Sequence, residues 1–186
     1  MRTFIALKLD EAVKSKLCLL LDELRRAERS VKWVGREGLH LTLKFLGEVD
    51  EAMIPEIEGV LNSAARQTPS FSLTCRGTGT FPPSFRKARV VWAGIAPEST
   101  VMSFQARLED DLEILDFPRE SRPFHPHVTL GRMKLPSGLG SRAARLLEKE
   151  GETLFGVTSI KKATFFRSEL KPAGAVYTII SEFDLT

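Results

Sequence analysis

Two tetrapeptides of one pattern constrain the fold of this chain more than any other feature. Residues 40–43 read HLTL and residues 127–130 read HVTL, so one apolar residue separates a histidine from a threonine in both. Residues two apart in a β-strand project from the same face. Each copy therefore presents an imidazole and a hydroxyl together, with its apolar residues facing the opposite layer. The chain has 3 histidines, and two of them lie in this repeated pattern.

The spacing between the motifs recurs elsewhere in the chain. Four landmark pairs share a near-constant offset: His40/His127 (127 − 40 = 87), Phe4/Val91 (91 − 4 = 87), Phe71/Phe155 (155 − 71 = 84) and Phe81/Phe165 (165 − 81 = 84). Two copies are too few for a solenoid. The offsets instead predict an internal duplication within a single domain over residues 1–186, with halves of roughly 1–90 and 91–186.

Apolar periodicity predicts the elements of each half. We expect strands over residues 4–9, 39–46, 71–81, 89–95, 127–133, 155–167 and 175–184, and helices over 11–28, 51–66, 99–115 and 141–150. Asp10 and Asp50 are candidate N-caps of the first two helices. The predicted fold class is α+β and bilobal. Two pseudo-symmetric, antiparallel-rich sheets carry helices on their outer faces, and the motif strands face each other across a central cleft.

Composition excludes several classes of protein. Of the 186 residues, 42% are hydrophobic and 27% charged, which is ordinary for a globular domain, and no apolar stretch approaches a membrane span. Cys18 and Cys75 are too few for a disulfide framework or a cysteine metal site. We therefore expect reduced thiols in a cytoplasmic protein that contacts no membrane. The net charge of +3 favours polyanionic partners only weakly.

Two imidazoles and two hydroxyls facing one cleft suit an anionic substrate such as a phosphodiester. Cleaving this group without a metal requires a base, an acid and donors for the charge that grows on the phosphate oxygens. Histidine serves both proton-transfer roles near neutral pH. His40 and His127 are therefore the candidate acid and base, and Thr42 and Thr129 the candidate phosphate donors. The near-symmetric sequence does not say which histidine has which role.

Three further residues are candidate substrate contacts. Lys44 shares strand parity with His40 and Thr42, so simple alternation points it into the same cleft. Arg132 does not share parity with His127, and it reaches the site only if the strand bulges there. Phe124 lies near the second motif, where its ring could stack on a base.

Two other patterns give only weak evidence of a binding site. His125 and His127 have the spacing of a metal-binding pair, but no cysteine or carboxylate lies within several residues, and Gly38 occupies the matching place in the first motif. We predict no metal site, and expect His125 to position Pro126 or to line the mouth of the cleft. Gly77 and Gly79 lack the context of a phosphate-binding loop and indicate a turn or bulge.

Taken with these motifs, the sequence resembles the two-histidine phosphoesterase superfamily, and within it the RNA 2′,3′-cyclic phosphodiesterase branch, historically called 2′-5′ RNA ligase. The segments that carry the resemblance are residues 2–6, 33–34, 39–49, 77–81, 89–92 and 126–132. The resemblance implies hydrolysis of a terminal 2′,3′-cyclic phosphate on RNA or a nucleotide to a 2′-phosphomonoester, without metal or nucleotide cofactor. It also implies that His40 is the proton donor and His127 the proton acceptor, with Thr42 and Thr129 holding the phosphate.

Two alternatives stay open at this point. The same site could reversibly join RNA ends through 2′-5′ linkages, by microscopic reversibility. Alternatively, the chain could be a non-catalytic module that binds RNA ends through the same four residues. A self-contained two-lobe domain gives no reason to expect more than a monomer.

Overall fold

The computed structural model describes residues 1–171 and 174–186 of the chain. Its elements are β1 (Arg2–Lys8), α1 (Glu11–Ala27), β2 (Val31–Trp33), β3 (His40–Glu48), α2 (Ile54–Arg66), β4 (Phe71–Phe81), β5 (Val90–Ile95), α3 (Ser99–Glu113), β6 (His127–Met133), α4 (Ser141–Lys149), β7 (Leu154–Ile160), β8 (Lys162–Lys171) and β9 (Gly174–Asp184). Short 3-10 turns cover Arg36–Gly38, Glu51–Met53 and Phe85–Lys87. The predicted α+β class is therefore confirmed, and most predicted elements recur within a few residues.

The N-terminal caps of the first two helices differ from the prediction, although α1 begins at Glu11 as expected. Asp50 accepts a hydrogen bond from the backbone N–H of Ala52 (3.0 Å), but the capped segment is a 3-10 turn, and the α-helix starts at Ile54 with Pro55 in its first turn. The Asp10 side chain does not cap α1. Its carboxylate instead accepts from the backbone N–H of Ser159 (3.2 Å), so it fastens the start of α1 to β7.

The strands form one curled, antiparallel, nine-stranded sheet in the order β7-β4-β5-β6-β3-β1-β8-β9, with β2 paired to β6. The motif strands β3 and β6 meet at the centre through the single residue pair Leu41–Val128. We call strands β3, β1, β8 and β9 the β3 lobe, and strands β6, β5, β4 and β7 the β6 lobe. The two predicted sheets are thus the two halves of one sheet, joined where the motifs lie.

Each lobe contains elements from both halves of the chain. Strand β4, from the first half, lies in the β6 lobe between β5 and β7, whereas β8, from the second half, lies in the β3 lobe beside β1. The helices cross as well: α1 and α4 contact each other and the β6 lobe, while α2 and α3 contact each other and the β3 lobe. The helices cover the outer face of each lobe, as predicted.

One large hydrophobic cluster lies between the helices and the sheet, and it includes Ile5, Leu41, Val91 and Val128. A second, smaller cluster lies on the opposite face of the β3 lobe. It contains Phe4, Ala6 and Phe166, with Tyr177 packed against them. Since Ile5 is in the first cluster and its neighbours Phe4 and Ala6 are in the second, β1 separates a helix face from a cleft face. Among the described residues, no helix is both long and apolar enough to cross a membrane.

Candidate active site

The register of the two motif strands brings four polar side chains together. Leu41 pairs with Val128 in antiparallel orientation, so one step along each strand sets His40 across from Thr129 and Thr42 across from His127. Leu41 and Val128 are fully buried on the helix face. The histidines and threonines therefore lie on the cleft face, where all four side chains are partly buried. The predicted symmetric cluster of two imidazoles and two hydroxyls is present at the centre of the sheet.

A β-bulge follows each motif threonine. In β3, Thr42 pairs with Ala6 and Lys44 with the next residue back along β1, Ile5, so Leu43 has no partner. In β6, Thr129 pairs with Trp92 and Gly131 with the next residue back along β5, Val91, so Leu130 has no partner. An extra residue in one strand reverses the alternation of faces beyond it. At the final leucine of each motif, therefore, the alternation of side chains between the two faces of the sheet is reversed.

This bulge corrects the prediction for Lys44. Because Lys44 pairs with Ile5 it faces the helices, not the cleft, and it is only 6% exposed. Its ammonium donates to Glu109 of α3 (2.5 Å) and to the carbonyl oxygen of Pro118 (2.9 Å). The parity argument was wrong because it assumed unbroken alternation through the strand. Lys44 is a buried structural cation that does not reach the cleft.

From the sequence, Arg132 was expected to reach the site only if its strand bulged. The matching bulge in β6 does turn Arg132 toward the cleft. Arg132 pairs with Val90, two residues from Trp92, so it lies on the same face as Thr129. Burial raises the pKa of Tyr177 and the charge of Arg132 opposes this, while the same charge adds a small part to the lowering of the pKa of His127, which burial dominates. Arg132 is exposed and therefore stands at the rim of the site; its role as a substrate contact stays a prediction.

Phe124 is not brought to the motifs. It packs against the large hydrophobic cluster as a partly buried residue, and it is absent from the aromatic contacts around either histidine in the described part of the chain. The structure does not support the predicted stacking role, because the Phe124 ring contributes to the core.

His40 stands against an aromatic wall of the β3 lobe. Its ring stacks on Phe4 with ring centres 5.0 Å apart, lies 5.9 Å from Phe166, and meets Tyr177 edge-on at 5.3 Å. Burial, with a smaller contribution from the charge of Lys14, lowers the pKa of His40 to about 4, while a hydrogen bond to the Glu37 backbone acts in the opposite direction. In the free protein the His40 imidazole is therefore neutral at pH 7.

The Glu37 backbone and Lys14 belong to a small polar network on α1. Arg36 binds the carboxylate of Glu11 (2.6 Å) and the hydroxyl of Ser15 (3.0 Å), and Lys14 lies 3.2 Å from the same carboxylate. These contacts fasten the 3-10 turn immediately before His40 to the helix beneath it. They hold the segment that leads into the first motif.

His127 has a different environment in the β6 lobe. Its Nδ1 lies 2.7 Å from the backbone carbonyl oxygen of His125, and its ring meets Phe81 edge-on at 5.0 Å. Burial is the main cause that lowers the pKa of His127, and the His125 carbonyl opposes it. In the neutral imidazole Nδ1–H donates to this carbonyl, which leaves the Nε2 lone pair available to accept a proton.

His125 lies at the cleft, as predicted, through its backbone and its ring. Its exposed ring contacts Phe81 (5.1 Å) and Trp92 (5.4 Å). Among residues 1–171 and 174–186, no group of three or more histidine, cysteine or acidic side chains has the geometry to hold a metal ion. The pair of His125 and His127 therefore has no third ligand in the part of the chain that is described.

Sequence reasoning missed the aromatic residues of the cleft: Phe4, Phe81, Trp92, Phe166 and Tyr177. Phe4 and Trp92 lie on strands that pair directly with the motif strands, whereas Phe81, Phe166 and Tyr177 reach the cleft only through the strand exchange between the halves. Tyr177 is the single tyrosine of the chain, but no local pattern connects it with His40. The pairs Phe4/Val91 and Phe81/Phe165, with which the two halves of the chain were aligned, each differ by one residue from the pair that is structurally equivalent. An alignment of the halves that allowed for the bulges would have found the equivalent pairs.

Two His-x-Thr pairs on facing lobes form a symmetric site of two imidazoles and two hydroxyls, the arrangement that gives the two-histidine phosphoesterases their name. Residues 13–163 match the 2′-5′ RNA ligase superfamily, and the chain belongs to that family. It is 35% identical over 184 residues to the RNA 2′,3′-cyclic phosphodiesterase of Methanothermobacter thermautotrophicus, covering 99% of this chain and 98% of that protein. It is 34% identical to the protein of the same name from Thermotoga maritima over 98% of this chain and 94% of that one. The family resemblance drawn from the motifs is thereby confirmed.

Solved structures agree with this assignment. The crystal structure of TT0787 of Thermus thermophilus superimposes with a TM-score of 0.84 at 33% identity, covering 100% of this chain and 98% of that one. The E. coli LigT structure complexed with 3′-AMP gives a TM-score of 0.78 at 23% identity over 100% of this chain and 98% of that one. At that identity the second likeness supports the fold alone.

Proposed function

We propose that this protein hydrolyses 2′,3′-cyclic phosphate ends of RNA or nucleotides to 2′-phosphomonoesters by acid–base catalysis between His40 and His127. The observation that carries the proposal is the antiparallel register at Leu41–Val128, which sets each histidine across from the threonine of the other motif. The relatives that match over nearly the whole chain have the name of this activity. Two imidazoles on opposite sides of one phosphate satisfy the requirement for a base and an acid on opposite faces of the reaction.

In the proposed reaction His127 accepts a proton from water through Nε2 as the water oxygen attacks phosphorus. The bond from phosphorus to the 3′ oxygen breaks, and His40 donates a proton to that oxygen. One water is consumed, the 2′ ester remains, and the two histidines exchange their protonation states. The His125 carbonyl suits His127 to the role of base because it fixes the Nδ1–H tautomer.

His40 must enter this reaction protonated, although burial lowers its pKa to about 4 in the free protein. A phosphodiester anion in the cleft favours the imidazolium, because an opposite charge within a few ångströms raises the pKa of a histidine. Substrate binding thus supplies the proton donor. Thr42 and Thr129 donate hydrogen bonds to the non-bridging oxygens, and Arg132 at the rim adds a positive charge.

Ligation through a 2′-5′ linkage follows the same course with the 5′ hydroxyl of a second RNA as the nucleophile in place of water: His127 accepts the proton of that hydroxyl, the bond from phosphorus to the 3′ oxygen breaks, and His40 donates a proton to the 3′ oxygen. It requires no additional catalytic group. We therefore propose it as a secondary activity of the same four residues, detectable when two RNA ends are present at high concentration.

Turnover of a 2′,3′-cyclic mononucleotide in the presence of a metal chelator tests the proposal. We expect the wild type to form the 2′-phosphate as the sole product, and His40→Ala and His127→Ala to lose turnover. His125→Ala is the matched control, because it removes the third imidazole and leaves the backbone carbonyl that holds His127. A wild type that binds RNA ends without turnover would identify a binding module instead, and turnover that requires added metal would restore the His125–His127 metal site.

We also propose that the protein acts as a cytoplasmic monomer. Cys18 and Cys75 are both free thiols, which suits a reducing compartment, and all four motif residues come from one chain. Light scattering on the purified protein tests the oligomeric state, and a dimer mass would reject it.

A further inference from the structure

A groove between α1 and α4 lies on the outer side of the β6 lobe, away from the motifs. It has a volume of about 460 Å³ and is lined by Glu23, Arg26, Arg142, Arg145, Leu146 and Lys149. Four of these six residues are cations and one is an acid, so the lining has a net charge of +3 (4 − 1). All four cations are exposed, and within the described residues none has a carboxylate oxygen within the 4.0 Å of a salt bridge.

Helix stability explains only part of this charge: Arg26 and Lys149 lie in the last turns of α1 and α4, where the helix dipole favours cations, but Arg142 and Arg145 have no such support. Arg142 lies in the first turn of α4, where the helix dipole disfavours positive charge and where no acidic residue occurs. Arg142 and Arg145 are three positions apart and Arg145 and Lys149 four, so each pair repels along one face of the helix. The arrangement weakens α4 unless an anion occupies the groove.

The pseudo-symmetric groove of the other lobe provides an internal comparison. Helices α2 and α3 enclose a groove of about 260 Å³ on the outer side of the β3 lobe. Its charged lining residues are Arg107 and Asp111, whose charges cancel. The Arg107 guanidinium also donates a hydrogen bond to the Gln67 side chain. The fold therefore builds this groove twice and makes only one of the two strongly basic.

Exposed cations connect the basic groove with the cleft. Lys32 of β2 is paired with Arg132 of β6 and therefore lies on the same cleft face at the rim. Beyond the end of β6, the Lys134 ammonium donates to the backbone carbonyl oxygen of Arg29 (3.1 Å), and Arg29 is three residues after Arg26 of the groove. Lys32, Lys134 and Arg29 are all exposed.

One carboxylate, Glu28, lies along this route. Its oxygens accept hydrogen bonds from Ser30 (2.7 Å) and from the backbone N–H of Gly140 (2.9 Å), immediately before α4. Glu28 is thus engaged in joining the ends of α1 and α4. The cationic path of Arg132, Lys32, Lys134 and Arg29 leads from the cleft to the groove.

We propose that the α1–α4 groove and this cationic path bind the phosphodiester backbone of the RNA strand whose 3′ end lies in the cleft. The proposal rests on the proposed function for the identity of the ligand. Unpaired guanidinium groups are suited to phosphate contacts, and a row of them follows a backbone without reading its sequence. Single-strand binding surfaces cover about 4–16 nucleotides, whereas a cyclic mononucleotide occupies the cleft alone.

The double variant Arg142→Gln/Arg145→Gln tests this proposal with two substrates. For an RNA of about 12 nucleotides that ends in a 2′,3′-cyclic phosphate, we expect KM to rise about tenfold with kcat unchanged. The slope of log KM against log salt should decrease by about 0.7 for each phosphate that the variant no longer neutralises. Hydrolysis of the cyclic mononucleotide should be the same as in the wild type. The matched control Arg107→Gln/Lys161→Gln removes two positive charges elsewhere, from the α2–α3 groove and from the exposed residue between β7 and β8, and should leave both substrates unaffected.

Equal KM values for the long RNA in wild type and variant would overturn the proposal, and so would an equal loss in the control. Fluorescence anisotropy with an RNA of the same length ending in a 3′ hydroxyl separates this failure from failure of the proposed function. A wild type without turnover, whose RNA binding is nonetheless weakened by the double variant, rejects the hydrolase and supports the groove. Loss of poly-glutamate binding with unchanged RNA binding would assign the groove to an acidic protein and overturn the proposal.

Discussion

The β3 lobe and the β6 lobe have the same backbone register and different side chains. Each contains a motif strand, a partner strand, and a bulge after the motif threonine at which the pairing skips one residue of the motif strand. On the cleft face, Phe45, Phe4 and Phe166 in one lobe correspond to Arg132, Val90 and Phe81 in the other. The backbone places two His–Thr pairs symmetrically, and the flanking positions make their surroundings unequal.

The contrast is clearest beside the threonines. Ala6 pairs with Thr42 and with Thr164 in the β3 lobe, whereas Trp92 pairs with Thr129 and with Gly79 in the β6 lobe. A side chain at Gly79 would clash with Trp92, since its Cβ would lie 2.3 Å from the indole ring. The large residue of one lobe therefore depends on a glycine across from it. A small, buried alanine therefore stands beside the first motif threonine, and the indole of Trp92 stands beside the second.

The largest expected effect tests whether the two lobes form one site. His40→Ala and His127→Ala should each lower kcat about 10²- to 10⁴-fold, and the double variant should be little worse than either, because groups that act as a unit are not additive. Steady-state kinetics on a cyclic mononucleotide give the three values. Independent, multiplying losses would indicate that the two histidines do not act on the same phosphate.

The buried cation of the β3 lobe gives the second prediction. Lys44→Met should lower the free energy of unfolding by about 3–5 kcal/mol because it leaves the Glu109 carboxylate buried without its partner. The double variant Lys44→Met/Glu109→Leu should recover most of this loss. Urea denaturation measures both. Turnover lost in a Lys44→Met protein that remains folded would return Lys44 to the cleft and contradict the bulge.

The threonines should be equivalent in the two lobes. Thr42→Val and Thr129→Val should each lower kcat/KM about 10- to 100-fold, the value of one hydrogen bond to a charged group. Thr42→Ser and Thr129→Ser retain the hydroxyl and should stay near the wild type. Losses that differ strongly between the lobes would show that the phosphate is held by one motif.

The smallest effect concerns stability at acidic pH. Because the pKa of His40 is lowered from 6.5 to about 4 on folding, the unfolded chain binds more protons in this range, and stability decreases as the pH falls from 6.5 toward 4. Between about pH 7.5 and 5 the loss from His40 should be about 2 kcal/mol. Denaturation of wild type and His40→Gln at both pH values measures it. The variant should lose less on acidification than the wild type, and equal losses would reject the shift.

The fold and the family could be predicted because the sequence signals for both lie in short stretches of the chain. The motif strands, the helix stripes and the offset of the two halves are all visible in the order of apolar residues. The exchange of β4 and β8 between the lobes could not be predicted from these patterns. The alternation of apolar and polar residues in each strand would be the same whichever lobe it joined. The proposed duplication is supported by the identical skips in β1–β3 and β5–β6 pairing.

At the site, His40, Thr42, His127 and Thr129 were predictable, since both pairs precede the bulges. Lys44 was predicted on the wrong face of the sheet, and Arg132 could be assigned to the cleft only if its strand bulged. One extra residue in a strand reverses the faces of all the side chains that follow it, and no sequence pattern reveals that residue. Tyr177, Phe81 and Trp92 reach the histidines only through long-range pairing. Parity arguments were therefore reliable up to each motif threonine and unreliable immediately after it.

The crossing of elements between halves limits how this molecule can move. Strand β4 and helix α1 tie the first half into the β6 lobe, and strand β8 and helix α3 tie the second half into the β3 lobe. A hinge at the middle of the chain would have to pull both pairs of elements out of their sheets. The two halves of the chain consequently depend on each other, because neither half completes a lobe, or one wall of the cleft, without strands from the other.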